Sequence, residues 1–238
     1  MIKVVTFDLW NTLFANKSYM DSRLNFFIQL LNDNQIILNG NKIDDAFNKA
    51  FHLSNIYFEE LNFSHIYTHE RILRLLNHLN IELSKSEINE IKIKFEEMMI
   101  FDPPLLKIGV KETLRELSNA YKIGLISNTG ITPGRVIKKV FKKYDIEKYF
   151  EITIFSDEIG FYKPKPIMFE TIINSFDCTP QNVIHIGDKL ETDVKGASDC
   201  GMLTIWINDS NSQILEYIQP DYEIKQIYDV VNIIKNIH

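Results

Sequence analysis

Four short apolar runs in this chain each end in groups able to do chemistry. Val4-Val5-Thr6-Phe7 leads into Asp8, with Thr12 just beyond, and residues 123–126 lead into Ser127-Asn128-Thr129-Gly130. Residues 151–155 are followed by Gly160-Phe161-Tyr162-Lys163-Pro164, and residues 183–186 by Gly187-Asp188, with Asp193 close behind. A carboxylate at the end of a buried strand is costly to desolvate without a task. In open α/β sheets the carboxyl ends of the strands are where ligands bind. Brought to one sheet edge, these groups supply a nucleophile-like carboxylate (Asp8), a hydroxyl beside exposed backbone N–H groups (Ser127), a lysine (Lys163) and two more acids (Asp188, Asp193). Two carboxylates with water are a sufficient partial cage for Mg2+, which keeps several of its waters. The lysine offsets like-charge repulsion and binds phosphate or carboxylate, while the hydroxyl and free N–H groups donate to an anion's oxygens. Taken singly, each has a structural reading: Asp8 or Asp188 as a cap, Ser127 as a turn former, Lys163 as a surface charge. Their joint order, each behind an apolar strand, favours one shared site.

Positioning such groups requires strands alternating with helices. Runs rich in β-branched residues predict strands at 3–7, 122–126, 151–155, 183–186 and 203–207, with a weaker one at 222–224. Helical patterns fall at 111–120, 133–141, 166–174 and 192–200, with Thr132-Pro133 read as a capping hydroxyl and first-turn proline. The alternation implies an α/β class: a Rossmann-like, mostly parallel sheet with helices on both faces. Between Leu13 and Pro103 the rhythm changes to amphipathic helices at roughly 20–35, 43–61, 66–80 and 86–100, with no clear strand. Leu24, Ile28 and Leu31 fall at helical spacing, as do Phe47, Phe51 and Phe58, and Ser84 with Glu87 resembles a capping box. Pro103-Pro104 stops helix propagation. The expected organisation is a core of residues 1–14 and 103–238 carrying an all-helical cap at 15–102.

A chain of 238 residues suits a core with one smaller insert. Its net charge of −6 argues against a broad nucleic-acid footprint. The dense basic run of Arg135, Lys138, Lys139, Lys142 and Lys143 has helical spacing and reads as a solvated helix face. Cys178 and Cys200 match no metal-type spacing and are expected as free thiols. No apolar run approaches the roughly 20 residues that span a bilayer, and a strand from residue 2 leaves no room for a signal peptide. A cytoplasmic monomer or homodimer acting on a small molecule is expected, with no nucleic-acid or membrane partner.

The four motifs resemble those of the haloacid dehalogenase-like superfamily: Asp8-Leu9-Trp10-Asn11-Thr12, Ser127-Asn128, Lys163-Pro164-Lys165-Pro166 and Gly187-Asp188-Lys189-Leu190-Glu191-Thr192-Asp193. The helical stretch resembles the family's cap in its commonest position. The resemblance implies an Asp8 nucleophile that forms an aspartyl ester or phosphate, with Ser127, Asn128 and Lys163 holding the transferring group. It implies Mg2+ on Asp8, the backbone carbonyl of Trp10 and Asp188, with Asp193 as a ligand or ordering its surroundings, and Thr12 supporting the turn. Family phosphatases usually carry a second Asp where this chain has Trp10, and indole cannot exchange a proton near neutral pH. The expectation is a Mg2+-dependent phosphatase of small phosphorylated metabolites with atypical leaving-group protonation. Alternatives are a 2-haloacid dehalogenase, whose halide needs no proton, a phosphonate hydrolase using Lys49, or a catalytically reduced binding protein. Candidate replacement acids are His52, His65, His69, Glu59 and Glu60, with His65 and His69 expected on one helix face. Specificity is expected from the cap, including Tyr19, Arg23, Tyr57 and Tyr67.

Overall fold

A computed structural model describes residues 1–51, 55–213 and 217–237, with the backbone alone at 55–57. The strands are β1 (Val4–Phe7), β2 (Lys122–Ser127), β3 (Ile152–Phe155), β4 (Val183–Gly187), β5 (Leu203–Ile207) and β6 (Tyr222–Ile224). They form a six-stranded sheet in the order β3-β2-β1-β4-β5-β6, every pairing parallel. All four residues of β1 are buried, as a strand covered by helices on both faces requires. The order reverses direction between β1 and β4, which is where a crevice opens at the carboxyl ends. The predicted strands therefore stand, with ends adjusted by a residue at most.

One face of the sheet packs Val5, Phe7, Ile123, Leu125, Ile184 and Ile186 against helices at Val110–Leu117, Gly134–Lys143 and Asp229–Asn236. The other packs Val4, Ile126, Ile154 and Val183 against helices at Pro166–Ser175 and Lys195–Asp199. Between β1 and the sheet's second strand lie five helices with their own core: α1 (Met20–Asp33), α2 (Gly40–Phe51), α3 (Asn55–Glu60), α4 (Thr68–Leu79) and α5 (Lys85–Phe101). Phe27, Leu31, Phe47, Phe51, Leu75 and Phe95 fill it, and Phe47, Phe51 and Phe95 meet ring to ring. Leu31 is buried as expected, whereas Leu24 and Ile28 are only partly buried, because Phe27 and Leu30 point inward. The helix expected over 43–61 is described as α2 and α3, with 52–54 outside the described residues. Ser84 does cap α5 reciprocally with Glu87.

Two chain crossings join the helical insert to the sheet, and they are tied side by side. Ala15 N donates to Leu105 O at 2.9 Å and Lys107 N to Leu13 O at 2.9 Å. The Tyr19 hydroxyl donates to Asp102 O at 2.7 Å, and Lys17 pairs with the Asp102 carboxylate. A second attachment uses part of the basic run, whose side chains remain largely solvated as expected. The helix Gly134–Lys143, α7 after α6 (Val110–Leu117), pairs Arg135 with Glu96 and Glu97 of α5, and Lys139 with Glu97 at 3.1 Å. Lys138 and Lys142 pair instead with Glu158 and Glu147 of the core, so among the described residues only two of these side chains reach the insert.

Two local expectations fail. Thr132 does not cap α7: Pro133 holds the N-cap position and Gly134 N donates to the Asp157 carboxylate at 3.0 Å. A Cβ at Gly134 would sit 2.4 Å from Phe155, so only glycine lets the helix begin there. The predicted helix at 192–200 starts instead as a π turn, Leu190–Val194, continuing into Lys195–Asp199. The short helix Ser156–Ile159 and the terminal helix Asp229–Asn236 were not foreseen.

Candidate active site

Asp8 leaves the end of β1 with its backbone N–H bonded to Ile186 O of β4 at 2.8 Å. Its carboxylate is 6% exposed, and Oδ1 accepts from the Lys163 ammonium at 2.6 Å. The same ammonium donates to Asp193 Oδ1 at 2.6 Å and to Ile126 O at 2.8 Å. Three N–H donors meet three acceptors in a buried cavity, so every proton of Lys163 is used. Asp8 Oδ2 accepts from no described residue, which leaves it as the open oxygen.

Glycine makes this packing feasible at β4. A Cβ on Gly187 would lie 2.4 Å from Asp193 Cγ, so the Gly-Asp pairing is required by the approach of Asp193. Asp193 is further fixed by Lys189 N, which donates to Oδ2 at 3.0 Å. Asp188, partly buried, accepts from the Asn11 amide at 3.2 Å. Asn11 adopts left-handed backbone (φ 58°), and its carbonyl accepts from Lys107 at 2.6 Å.

The charges are out of balance. Burial raises the Asp8 carboxyl to about 7 despite Lys163, with Asp193 and Asp188 adding repulsion. Burial likewise raises Asp188 to about 6, helped by Asp193. For Asp193 burial pulls upward too, but Lys163 and His185 outweigh it and hold it below the ordinary carboxylate range. Lys163 is raised because Asp193 and Asp8 overcome its own desolvation. His185, buried under this cluster, is lowered chiefly by desolvation; its Nδ1 shares a hydrogen with Thr6 at 2.9 Å. Its Nε2, 3.7 Å from Asp193, has no hydrogen-bond partner among the described residues.

Asp8, Asp188 and Asp193 each offer an oxygen, all within 4.8 Å of one another. Three carboxylates against one ammonium leave two negative charges, which a divalent oxygen-seeking cation would neutralise. The donor set fits Mg2+.

Other expected residues take different places. Ser127 is fully buried, its hydroxyl 3.5 Å from Asn128 O. Asn128 lines the cleft, yet its amide is spent on the backbone of Lys163: Oδ1 accepts from Lys163 N at 2.6 Å and Nδ2 donates to Lys163 O at 3.2 Å. Thr12 is buried with an unpartnered hydroxyl among the described residues. The turn is held by backbone bonds instead, from Leu13 N and Phe14 N to Leu9 O. Trp10 reaches across the site and donates from Nε1 to Asn128 O at 3.2 Å.

Above these groups lies a cleft of about 990 Å3, bounded by Trp10, Asn128 and Lys163 below and by Tyr19, Arg23, Glu59 and Arg71 from the helices. Glu59 is the one proposed replacement acid lining it among the described residues. His65 and His69 do not share a helix face. His65 precedes α4 and is buried against Ser156 and Tyr162, whereas His69 is exposed on the helix. Burial lowers His65 to about 4. Lys49 is exposed and paired with Asp45 at 2.6 Å, and Tyr67 is 44% exposed outside the cleft. His52 and the Tyr57 side chain lie outside the described residues. Arg71 and Tyr162 were missed; neither sits in a motif, and only the fold brings them to the cleft.

A family model for haloacid dehalogenase-like hydrolases matches residues 2–201. A glyceraldehyde 3-phosphate phosphatase of Pyrococcus furiosus is 26% identical over 233 residues, 97% of this chain and 88% of that protein. The pyrimidine 5'-nucleotidase YjjG of Escherichia coli is 24% identical over 68% of each chain. Among solved structures, a 2-haloacid dehalogenase from Pseudomonas syringae superposes with a TM-score of 0.75 at 19% identity, over 99% of both chains. YfnB of Bacillus subtilis, solved bound to magnesium, superposes with a TM-score of 0.61 at 19% identity, also over 99% of both chains.

Proposed function

Because this chain belongs to the haloacid dehalogenase-like hydrolases, we propose that it is a Mg2+-dependent phosphatase of small phosphomonoesters, acting through a phosphoryl group on Asp8. The observation that carries this reading is the single buried ammonium of Lys163 shared between Asp8 and Asp193, with Asp188 completing a three-carboxylate set. Displacement of halide needs no cation and gives no reason to gather those acids. The phosphatase and nucleotidase names of the relatives, and the magnesium bound by YfnB, support the same direction.

In this mechanism Asp8 Oδ2, the oxygen without a protein partner, attacks phosphorus while the ester oxygen departs with the bonding pair. Lys163 orients the Asp8 carboxylate by holding Oδ1 and partly offsets the burial that disfavours its ionised form. In this reading the ammonium and the Ser127 hydroxyl would turn toward the phosphoryl oxygens as they gather charge, the effect that dominates such transfers. Asp8, Asp188, the Trp10 carbonyl and Asp193 would hold Mg2+, which supplies neutralisation of that charge. Water then cleaves the acyl phosphate and restores the carboxylate. Trp10 spends its N–H on Asn128 and carries no exchangeable acid, so departing alkoxides must take their proton elsewhere. Leaving groups of low basicity, such as phenoxides and enolates, suit this site.

Trp10 also favours a second reading, dehalogenation, because a halide leaves without a proton. The two part in one assay. p-Nitrophenyl phosphate and 2-chloropropionate are each incubated with Mg2+ and with chelator. Metal-dependent phosphate release is expected; chelator-resistant chloride release would replace the proposal with the second reading.

A further inference from the structure

Asn11 stands between Trp10 and Thr12, and both of its backbone polar groups are used. Its N–H donates to Phe14 O at 2.7 Å, and its carbonyl accepts from the Lys107 ammonium at 2.6 Å. Its side-chain amide donates to Asp188 Oδ2 at 3.2 Å, the hydrogen bond that this carboxylate receives among the described residues. The Lys107 ammonium also meets the exposed Asp209 carboxylate at 2.6 Å. Lys107 belongs to the crossing that returns from the insert, and its own N–H is bonded to Leu13 O at 2.9 Å. A line of contacts thus runs from the insert's attachment to the three-carboxylate set, through Lys107 and Asn11 to Asp188.

A brace for the turn would account for the backbone bonds alone. At φ 58° glycine is the unstrained choice, and asparagine visits the left-handed region at some cost. What asparagine adds is the amide, and the amide is spent on Asp188. Holding Oδ2 stops the carboxylate from turning, so its oxygens keep one bearing toward those of Asp8 and Asp193. Hydrogen bonds to a ligating carboxylate fix its direction and govern how tightly an ion is held. Lys107 fits the same task at one remove, since its ammonium fixes the Asn11 peptide from which the amide reaches. Its charge alone would disfavour a nearby cation. Charge and position therefore predict opposite signs for its removal.

We propose that Asn11 and Lys107 are positioning residues for the cation: they hold Asp188 in place beside Asp8 and Asp193, and so set the affinity for Mg2+ from the edge of the insert. Both act through Asp188 and not on the ion itself. The claim rests on the Mg2+ part of the reading above.

Calorimetry with MgCl2 on the full chain, stripped of metal by chelator and dialysed, tests this without turnover. Asn11→Gly keeps the left-handed backbone and deletes the amide, and its Kd is expected to rise about 10- to 100-fold. Lys107→Met should weaken binding too, by a smaller factor. In the Asn11→Gly background the same lysine change should cost nothing further, because its route to Asp188 is already cut. Tighter binding in Lys107→Met, the sign that charge alone demands, overturns the proposal. So does unchanged affinity in Asn11→Gly, or a lysine effect of full size in the double variant. Melting in chelator separates aim from folding: a mere brace for the turn would lower the metal-free melting temperature and leave Kd where it was. Either single variant suffices should the other not fold. An unaltered chain that binds no Mg2+ removes the metal reading and the proposal together, whereas equal binding by all four chains removes the proposal alone.

Discussion

Lys163→Met keeps most of the side chain's length and deletes its charge. The ammonium satisfies Asp8, Asp193 and Ile126 O at 2.6, 2.6 and 2.8 Å, with the side chain 1% exposed. Removing one member of a buried ion pair costs about 3–5 kcal/mol, a large share of the roughly 5–15 kcal/mol that stabilises a domain. Its pH dependence has a definite sign. Asp193 is held below the ordinary range, so its contribution is present above the unfolded carboxylate value near 4 and is lost as pH falls through its lower folded value. The methionine variant removes that contribution, so its penalty should be essentially the same at pH 7.5 and 4.5 and shrink only as pH falls below about 4. Adding Asp193→Asn to Lys163→Met removes an acid that has lost its partner, and should restore about 0.5–3 kcal/mol relative to additivity. Urea midpoints at pH 7.5 and 4.5 with chelator, at unchanged m-value, measure all three chains. A loss under about 1 kcal/mol at both pH values, or strict additivity in the double variant, would refute this account of the cluster.

Asp8 titrates in the opposite sense: folded near 7 against 3.8 unfolded, it favours the folded state most below about pH 4 and loses that contribution as pH rises to about 7. Asp8→Asn should therefore flatten the decline in metal-free melting temperature between pH 4.5 and 7.5, and an unchanged slope would count against the raised value. His65, folded near 4 against 6.5 unfolded, contributes stability that is complete above pH 6.5 and lost as pH falls to about 4; His65→Gln should remove up to about 3 kcal/mol of that dependence in urea titrations. Trp10→Asp is expected to accelerate alkyl phosphate hydrolysis by about 10²–10⁴-fold and p-nitrophenyl phosphate far less; equal gains would mean Trp10 limits something other than proton transfer. Gly187→Ala forces Asp193 aside, so melting should show a loss of about 1–3 kcal/mol together with a fall in phosphate release.

The sheet was readable because its strands are buried on both faces, which writes them as unbroken β-branched runs such as Val4–Phe7 and Leu203–Ile207. Asp8, Lys163, Asp188 and Asp193 were readable because each follows such a run, and the parallel order then gathers them. What escaped depends on long-range approach. Nothing local marks Asp157 as the cap of α7, or tells Asn128 to spend its amide on Lys163, whose backbone is 35 residues away. Arg71 reads as an ordinary helix residue until α2 and α4 close around it. The four-residue spacing of His65 and His69 imitates a helix face, but the helix begins only at Thr68.

The two connecting segments of the insert run as a doubled ribbon, with Ala15 bonded to Leu105 and Lys107 to Leu13, while Arg135 and Lys139 grip Glu96 and Glu97 some way along α5. The insert is thus tied to the core at two separated places, one by backbone hydrogen bonds and one by ion pairs. Raising ionic strength screens the exposed Lys139–Glu97 pair and leaves backbone hydrogen bonds in place, so salt weakens one of the two attachments and spares the other.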